Sequence, residues 1–164
     1  MRLGDNSAAL RHASVLDELV TPVGVGTMPR DMAAGIRAEV LRSEGRAEEA
    51  LAELEGAPIE IFYHGTMVSA FVGLVDERFV WAELLAELGR NEEALDRYEN
   101  LVQMNTSELT YLPVVLKRRA YLLAELGEVE AAEAESDRLL ALWSDPDPEL
   151  IPWLQSAETV RSGN

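Results

Sequence analysis

The stretch AELLAELGRNEEALDRYENL, residues 82–101, decides the fold. Upstream and through its first half, Phe79, Ala82, Leu85 and Leu88 recur at three- and four-residue intervals, the spacing that gathers apolar side chains on one face of a helix. Gly89 then stops that helix, because without a Cβ it accepts the left-handed conformation in which helices end. Asn91 follows, a residue type suited to the first turn of a new helix near the positive end of its dipole. Ala94, Tyr98 and Leu101 carry the apolar stripe onward. The reading is helix, tight turn, helix.

The same phrase stands elsewhere in the chain as RLGDNSAAL, SEGRAEEAL and ELGEVEAAE, so the anchors are Gly4, Gly45, Gly89 and Gly127, spaced by 41, 44 and 38 residues. Five residues after each anchor is an alanine (Ala9, Ala50, Ala94, Ala132), and seven before the last three is another (Ala38, Ala82, Ala120). Leu41, Leu85 and Leu123 lie four before. Small residues on both helices let two backbones approach closely. The larger Leu54, Tyr98, Leu101 and Leu139, nine or twelve beyond the glycines, then pack onto the next hairpin. One hairpin cannot bury its own apolar face, whereas several stacked hairpins can.

The pattern resembles the tetratricopeptide repeat (TPR), a paired-helix unit with small residues where its two helices cross. Residues 82–101 carry the resemblance most closely, and it extends over about residues 2–143. With the helical periodicity it implies an all-α, TPR-like array of antiparallel helical hairpins, about seven helices in a single domain, closed by a C-terminal capping helix. The expected divisions are a half repeat at 2–20, repeats at about 29–57, 66–102 and 113–143, and a cap at 146–161. This chain departs from the family where an aromatic residue is expected nine after the glycine: Ala13, Leu54 and Ser136 stand there in three copies, and Glu133 replaces an apolar residue. Residues 77–150 also look like the C-terminal TPR regions of bacterial multidomain proteins that begin with a serine/threonine kinase or a transcriptional regulator. Because Gly4 occupies the turn position, the first copy lacks its first helix. The expectation is therefore the C-terminal part of a longer protein, with a homodimer through the unpaired N-terminal helix as a further possibility.

The length beyond the family norm falls between hairpins. TPVGVGTMP (residues 21–29) is rich in breakers, GAPIEIFYHG (56–65) is apolar and bounded by glycines, and QMNTSELTYLP (103–113) makes a third connection. Residues 66–88 contain no proline and read as one helix of about 23 residues, roughly 35 Å long. After Trp143, Asp145 or Asp147 can cap a last helix and Pro148 suits a first turn, while Pro152 predicts a kink or a start at that residue.

Composition narrows the function classes. The chain has 164 residues, 48% hydrophobic and 27% charged, with 14 Lys and Arg against 30 Asp and Glu, giving 14 − 30 = −16. That is a folded chain with an acidic surface, which disfavours nucleic acid and anionic membrane as partners. With no cysteine there is no disulfide, thiolate metal site or Cys nucleophile. The N-terminus has no apolar core behind a basic start, so no signal peptide is read and a cytoplasmic location is expected. His12 and His64 are the only histidines, and no metal, phosphate-loop or nucleophile motif accompanies them. No catalytic residue, metal or cofactor is therefore expected. Carboxylate runs such as Glu48, Glu49, Glu53 and Glu128, Glu130, Glu133 read as solvated faces of second helices.

The resemblance directs certain first-helix positions toward a concave groove. They are Met32, Gly35, Glu39 and Arg42, then Asp76, Phe79, Glu83 and Glu87, then Val114, Lys117, Tyr121 and Glu125. Among these, Glu39, Arg42, Phe79, Glu83, Lys117 and Tyr121, with Arg118, are the candidate partner-binding residues. Lys117, Arg118 and Arg119 form the only run of three basic residues, and Lys117 is the only lysine. The triplet either pairs with acids across hairpins or recognises an acidic side chain or terminus, with Tyr121 and Phe79 as apolar anchors. The function expected is a noncatalytic protein–protein interaction or scaffold module whose groove binds a peptide or helix of another protein, basic overall, or another domain of its parent chain, so regulating an N-terminal effector domain. The alternative is an effector sensor whose pocket lies under residues 56–65, roofed by Ile59, Ile61, Phe62, Tyr63 and His64.

Overall fold

Gly45, Gly89 and Gly127 have φ of 77°, 74° and 80°, the left-handed conformation that only glycine adopts cheaply. Each ends its helix with the same pair of hydrogen bonds. The glycine N–H donates to the carbonyl three back (Arg42, Ala86, Ala124; 3.0, 3.0 and 3.1 Å). The next N–H donates to the carbonyl of Leu41, Leu85 or Leu123 (3.0, 2.9 and 2.9 Å). This is a Schellman closure made three times, and it satisfies carbonyls that a helix end leaves open.

The structure, a computed structural model, describes residues 5–19, 26–57, 73–102, 108–143 and 145–161. Gly4 and residues 58–65 of the apolar insert, His64 included, lie outside the described residues. Among those described are eight α-helices and no strand: α1 (Asn6–Glu18), α2 (Met28–Ser43), α3 (Ala47–Glu55), α4 (Val75–Glu87), α5 (Asn91–Glu99), α6 (Leu112–Glu125), α7 (Val129–Leu142) and α8 (Ile151–Arg161). A short 3-10 turn, Glu108–Tyr111, leads into α6. The fold is all-α, a helical-hairpin array in which α2–α3, α4–α5 and α6–α7 are joined by the three glycine turns. None of the described helices is long and apolar enough to cross a membrane.

The small residues do what their positions require. Ala38, Ala50, Ala82, Ala94, Ala120 and Ala132 are all buried, and so are Leu54, Tyr98, Leu101 and Leu139. The chain divides into two compact units, Met1–Arg97 and Tyr98–Asn164. In the first, α1 packs on α2, α2 on α3, and α4 on both α2 and α3. In the second, α6 pairs with α7, and α8 packs against both.

Two expectations change. Of the helix predicted to run unbroken from 66 to 88, residues 66–72 lie outside the described residues; in the described part the run is broken at Leu74, a left-handed residue with φ 47°, and the helix starts at Val75. A non-glycine residue there costs about 1–2 kcal/mol. The Leu74 side chain is fully buried, which repays a cost of that size. The capping helix predicted from 146 begins at Ile151, after a turn in which the Leu150 N–H donates to the Asp147 carbonyl at 2.9 Å. Pro152 thus falls in the first turn, where its missing N–H is not needed, one residue from the start expected there.

Candidate functional site

Three of the candidate residues come together in the first unit. Arg42, in the last turn of α2, donates from Nη2 to Glu83 at 2.9 Å and from Nε to Glu87 at 2.8 Å, both on α4, and lies 3.7 Å from Glu39. The Arg42 side chain is 14% exposed and that of Glu83 5%. Burial works against the guanidinium, but Glu87, Glu83 and Glu39 outweigh it and raise its pKa further. The cluster ties the first helices of two successive hairpins and sets three carboxylates around one guanidinium. Phe79, half-buried on α4, sits one turn before Glu83.

Beside this tie is a contact that the sequence reading does not contain. Glu77 lies across the backbone of Gly35, with its Cγ 2.5 Å from where a Cβ would stand. Burial pushes the Glu77 carboxyl up to about 7 against a bond from its own backbone amide, and the charges of Asp76 and Asp31 push the same way. Asp31 is fully buried and accepts a 2.8 Å hydrogen bond from the Thr27 hydroxyl. A glycine inside an alanine-rich helix was the available signal. It costs about 1 kcal/mol against alanine and so marks a close approach.

Arg37 makes a third tie, donating from Nε to Glu53 on α3 and from Nη1 to Asp17 on α1, both at 2.7 Å. Two adjoining clefts of about 440 and 450 Å³ open at this end of the unit. Asp17, Thr27 and Arg30 line both, and the second extends to Gly56 and Ala57, where the apolar insert begins.

In the second unit the basic triplet divides into three fates. Arg119 pairs across its hairpin with Glu135 at 2.8 Å, and Arg138 shares that buried carboxylate at 2.9 Å. Lys117 turns toward α8: its ammonium stands 4.3 Å from the ring centroid of Trp153 and donates to the Trp153 carbonyl at 3.1 Å. Burial there, then the neighbouring Arg118, lowers the Lys117 pKa. Arg118 and Tyr121 are exposed, Tyr121 by 51%. The Tyr121 hydroxyl donates to the Glu125 carboxylate, which raises the phenol pKa.

The remaining mapped positions are scattered in burial: Met32 and Val114 half-buried, Asp76, Glu87 and Glu125 exposed. His12 is exposed on α1, and among the described residues no group of three His, Cys, Asp or Glu side chains is arranged to hold a metal ion. The chain matches no protein-family model, no curated protein and no solved structure.

Proposed function

We propose that the chain is a noncatalytic interaction module of the tetratricopeptide type, which presents the α6 face to a segment of another protein or of a linked domain. The observation that supports this is the pairing of Arg118 with Tyr121. They stand three residues apart on the first helix of the last hairpin, and both are exposed. Residues three apart share a helix face, and an arginine beside an aromatic ring is the chemistry that anchors partner segments. An acidic side chain or terminus answers Arg118, and the chain's charge of −16 favours a partner that is basic overall.

The test is selection of a random peptide library displayed on phage against the immobilised chain, followed by affinity measurements on enriched peptides. Charge reversal at Arg118 with Tyr121→Ala should weaken them at least tenfold while the helical circular dichroism stays unchanged. Peptides that bind both chains equally would refute the α6 assignment.

A second reading rests on the clefts beside Asp17 and Arg30, one of which reaches the start of the 56–65 insert. That is where an effector pocket under the insert would open. A thermal-shift screen against metabolites separates the two: a saturable rise in Tm, lost in Arg30→Ala, belongs to the sensor.

A further inference from the structure

Aligned on the turn glycines, α1 corresponds to α3, α5 and α7, the second helices of the later hairpins, and it differs from them on its outer face. Three residues after each later glycine stands an exposed glutamate (Glu48, Glu92, Glu130), and ten after it another exposed carboxylate (Glu55, Glu99, Asp137). In α1 the same two places are Ser7 and Ser14, both exposed. Beside them runs a second row, Ala8, His12, Val15 and Leu19, spaced four, three and four residues apart, the interval of a helix seam that packs on another helix. Val15 is 58% exposed and Leu19 54%. The row has an open side. Among the described helices α1 rests on α2, whereas α3 rests on α2 and α4, and α7 on α6 and α8.

Charge says what fits this row. Arg11 and Glu18 stand along one edge of it, both exposed. Arg11 donates from Nη1 to the Ser7 hydroxyl of its own helix at 3.2 Å, and neither charge is in an ion pair among the described residues. Asp17, by contrast, is tied to Arg37 of α2. The edge is therefore basic in its first half and acidic in its second. Two such helices laid antiparallel set Arg11 of each opposite Glu18 of the other, with Val15 of each near the two-fold axis. Laid parallel, they set like charges side by side. A pattern that is its own complement under a two-fold rotation fits a second copy of the same chain.

We propose that α1 is a self-association face: two copies of the chain pack their first helices antiparallel along Ala8, His12, Val15 and Leu19, framed by two Arg11–Glu18 pairs. The serines fit this arrangement. A carboxylate at position 14 would meet its own counterpart near the axis, and in a chain of net charge −16 the contact needs a place where that repulsion is absent. One helix about 20 Å long makes a small contact, so the dimer is weak and exchanges rapidly with the monomer.

Sedimentation equilibrium of the whole chain from about 10 μM to about 1 mM, the range of transient contacts, should show monomer and dimer in exchange. Arg11→Glu alone and Glu18→Arg alone should each weaken association by about tenfold. Mixing the two altered chains should restore it to within about threefold, because opposite charges meet again. The chain has no cysteine, so a single introduced thiol reports by itself. Val15→Cys should crosslink two copies on mild oxidation, whereas Leu10→Cys, exposed but about 140° round the helix, should not. A folded chain that stays monomeric to about 1 mM, altered chains that do not rescue each other, or equal crosslinking at the two positions overturns the proposal. A monomer whose α1 amides shift with a library-selected peptide gives the face to another protein and overturns it as well.

Discussion

Glu77 occupies the space that a side chain on residue 35 would need, its Cγ 2.5 Å from the missing Cβ of Gly35. The register of α2 on α4 therefore depends on a glycine at this position. Gly35→Ala forces the middle of the Glu77 side chain to move and should destabilise by about 1–3 kcal/mol, despite the better helix propensity of alanine. In the Glu77→Ala background the clash is gone and the same change should stabilise by up to about 1 kcal/mol. Urea unfolding of the four chains measures this, and additive effects would show that the two residues are not coupled.

The protonation of Glu77 gives stability a pH dependence of known sign. Its carboxyl, ordinary at 4.5, is raised to about 7 in the native chain. Below the ordinary value both states hold the proton and nothing is lost. Between about 4.5 and 7 the unfolded chain gives up this proton while the native chain, with the carboxyl half-buried beside Asp76 and Asp31, keeps it, so stability falls across that window and levels off above it. Glu77→Gln stays neutral, so its advantage over the unaltered chain should grow from pH 5 to pH 8 by on the order of 3 kcal/mol. Thermal or urea melts at the two pH values check it, and a constant difference would contradict it.

The three glycine turns make a uniform set. No atom lies within 4 Å of a Cβ built on Gly45, Gly89 or Gly127, so substitution there meets no clash and costs only the left-handed backbone. Each Gly→Ala should lose about 1 kcal/mol, and each Gly→Asn less, because asparagine tolerates that conformation better. Unequal losses in equilibrium unfolding would mean that the turns are not equivalent.

Ser136 is fully buried on α7, and its hydroxyl has no hydrogen-bond partner among the described residues. An unsatisfied buried hydroxyl costs about 1–3 kcal/mol, so Ser136→Ala should stabilise the chain by about 1 kcal/mol, a rise of a few degrees in Tm. A loss of stability would reveal a partner for that hydroxyl.

What the sequence made legible was local. Ala38 and Ala50, Ala82 and Ala94, Ala120 and Ala132 recur at one spacing about the turns and are all buried, and the turn glycines follow from the rules of helix ends, so the turns could be placed from spacing alone. Ser136 was already out of place as a serine where the previous copy has Tyr98. The pairing of Arg119 with Glu135 follows from one hairpin. Contacts that depend on register between distant segments were not legible. Lys117 and Trp153 are 36 residues apart, and periodicity names a face without naming the side chain that covers it. Glu77 over Gly35 depends on how α4 lies on α2 after a long insertion. The break at Leu74 had no proline to announce it, because the burial of one leucine holds the backbone there.

The claim that the α6 face receives a partner segment is tested most directly by titrating a library-selected peptide into the isotopically labelled chain and following its amide resonances. The account predicts shifts concentrated on α6, at Arg118 and Tyr121 and their neighbours, that vanish when Arg118 is replaced by glutamate. Shifts confined to the cleft beside Asp17 and Arg30, with α6 undisturbed, would contradict it.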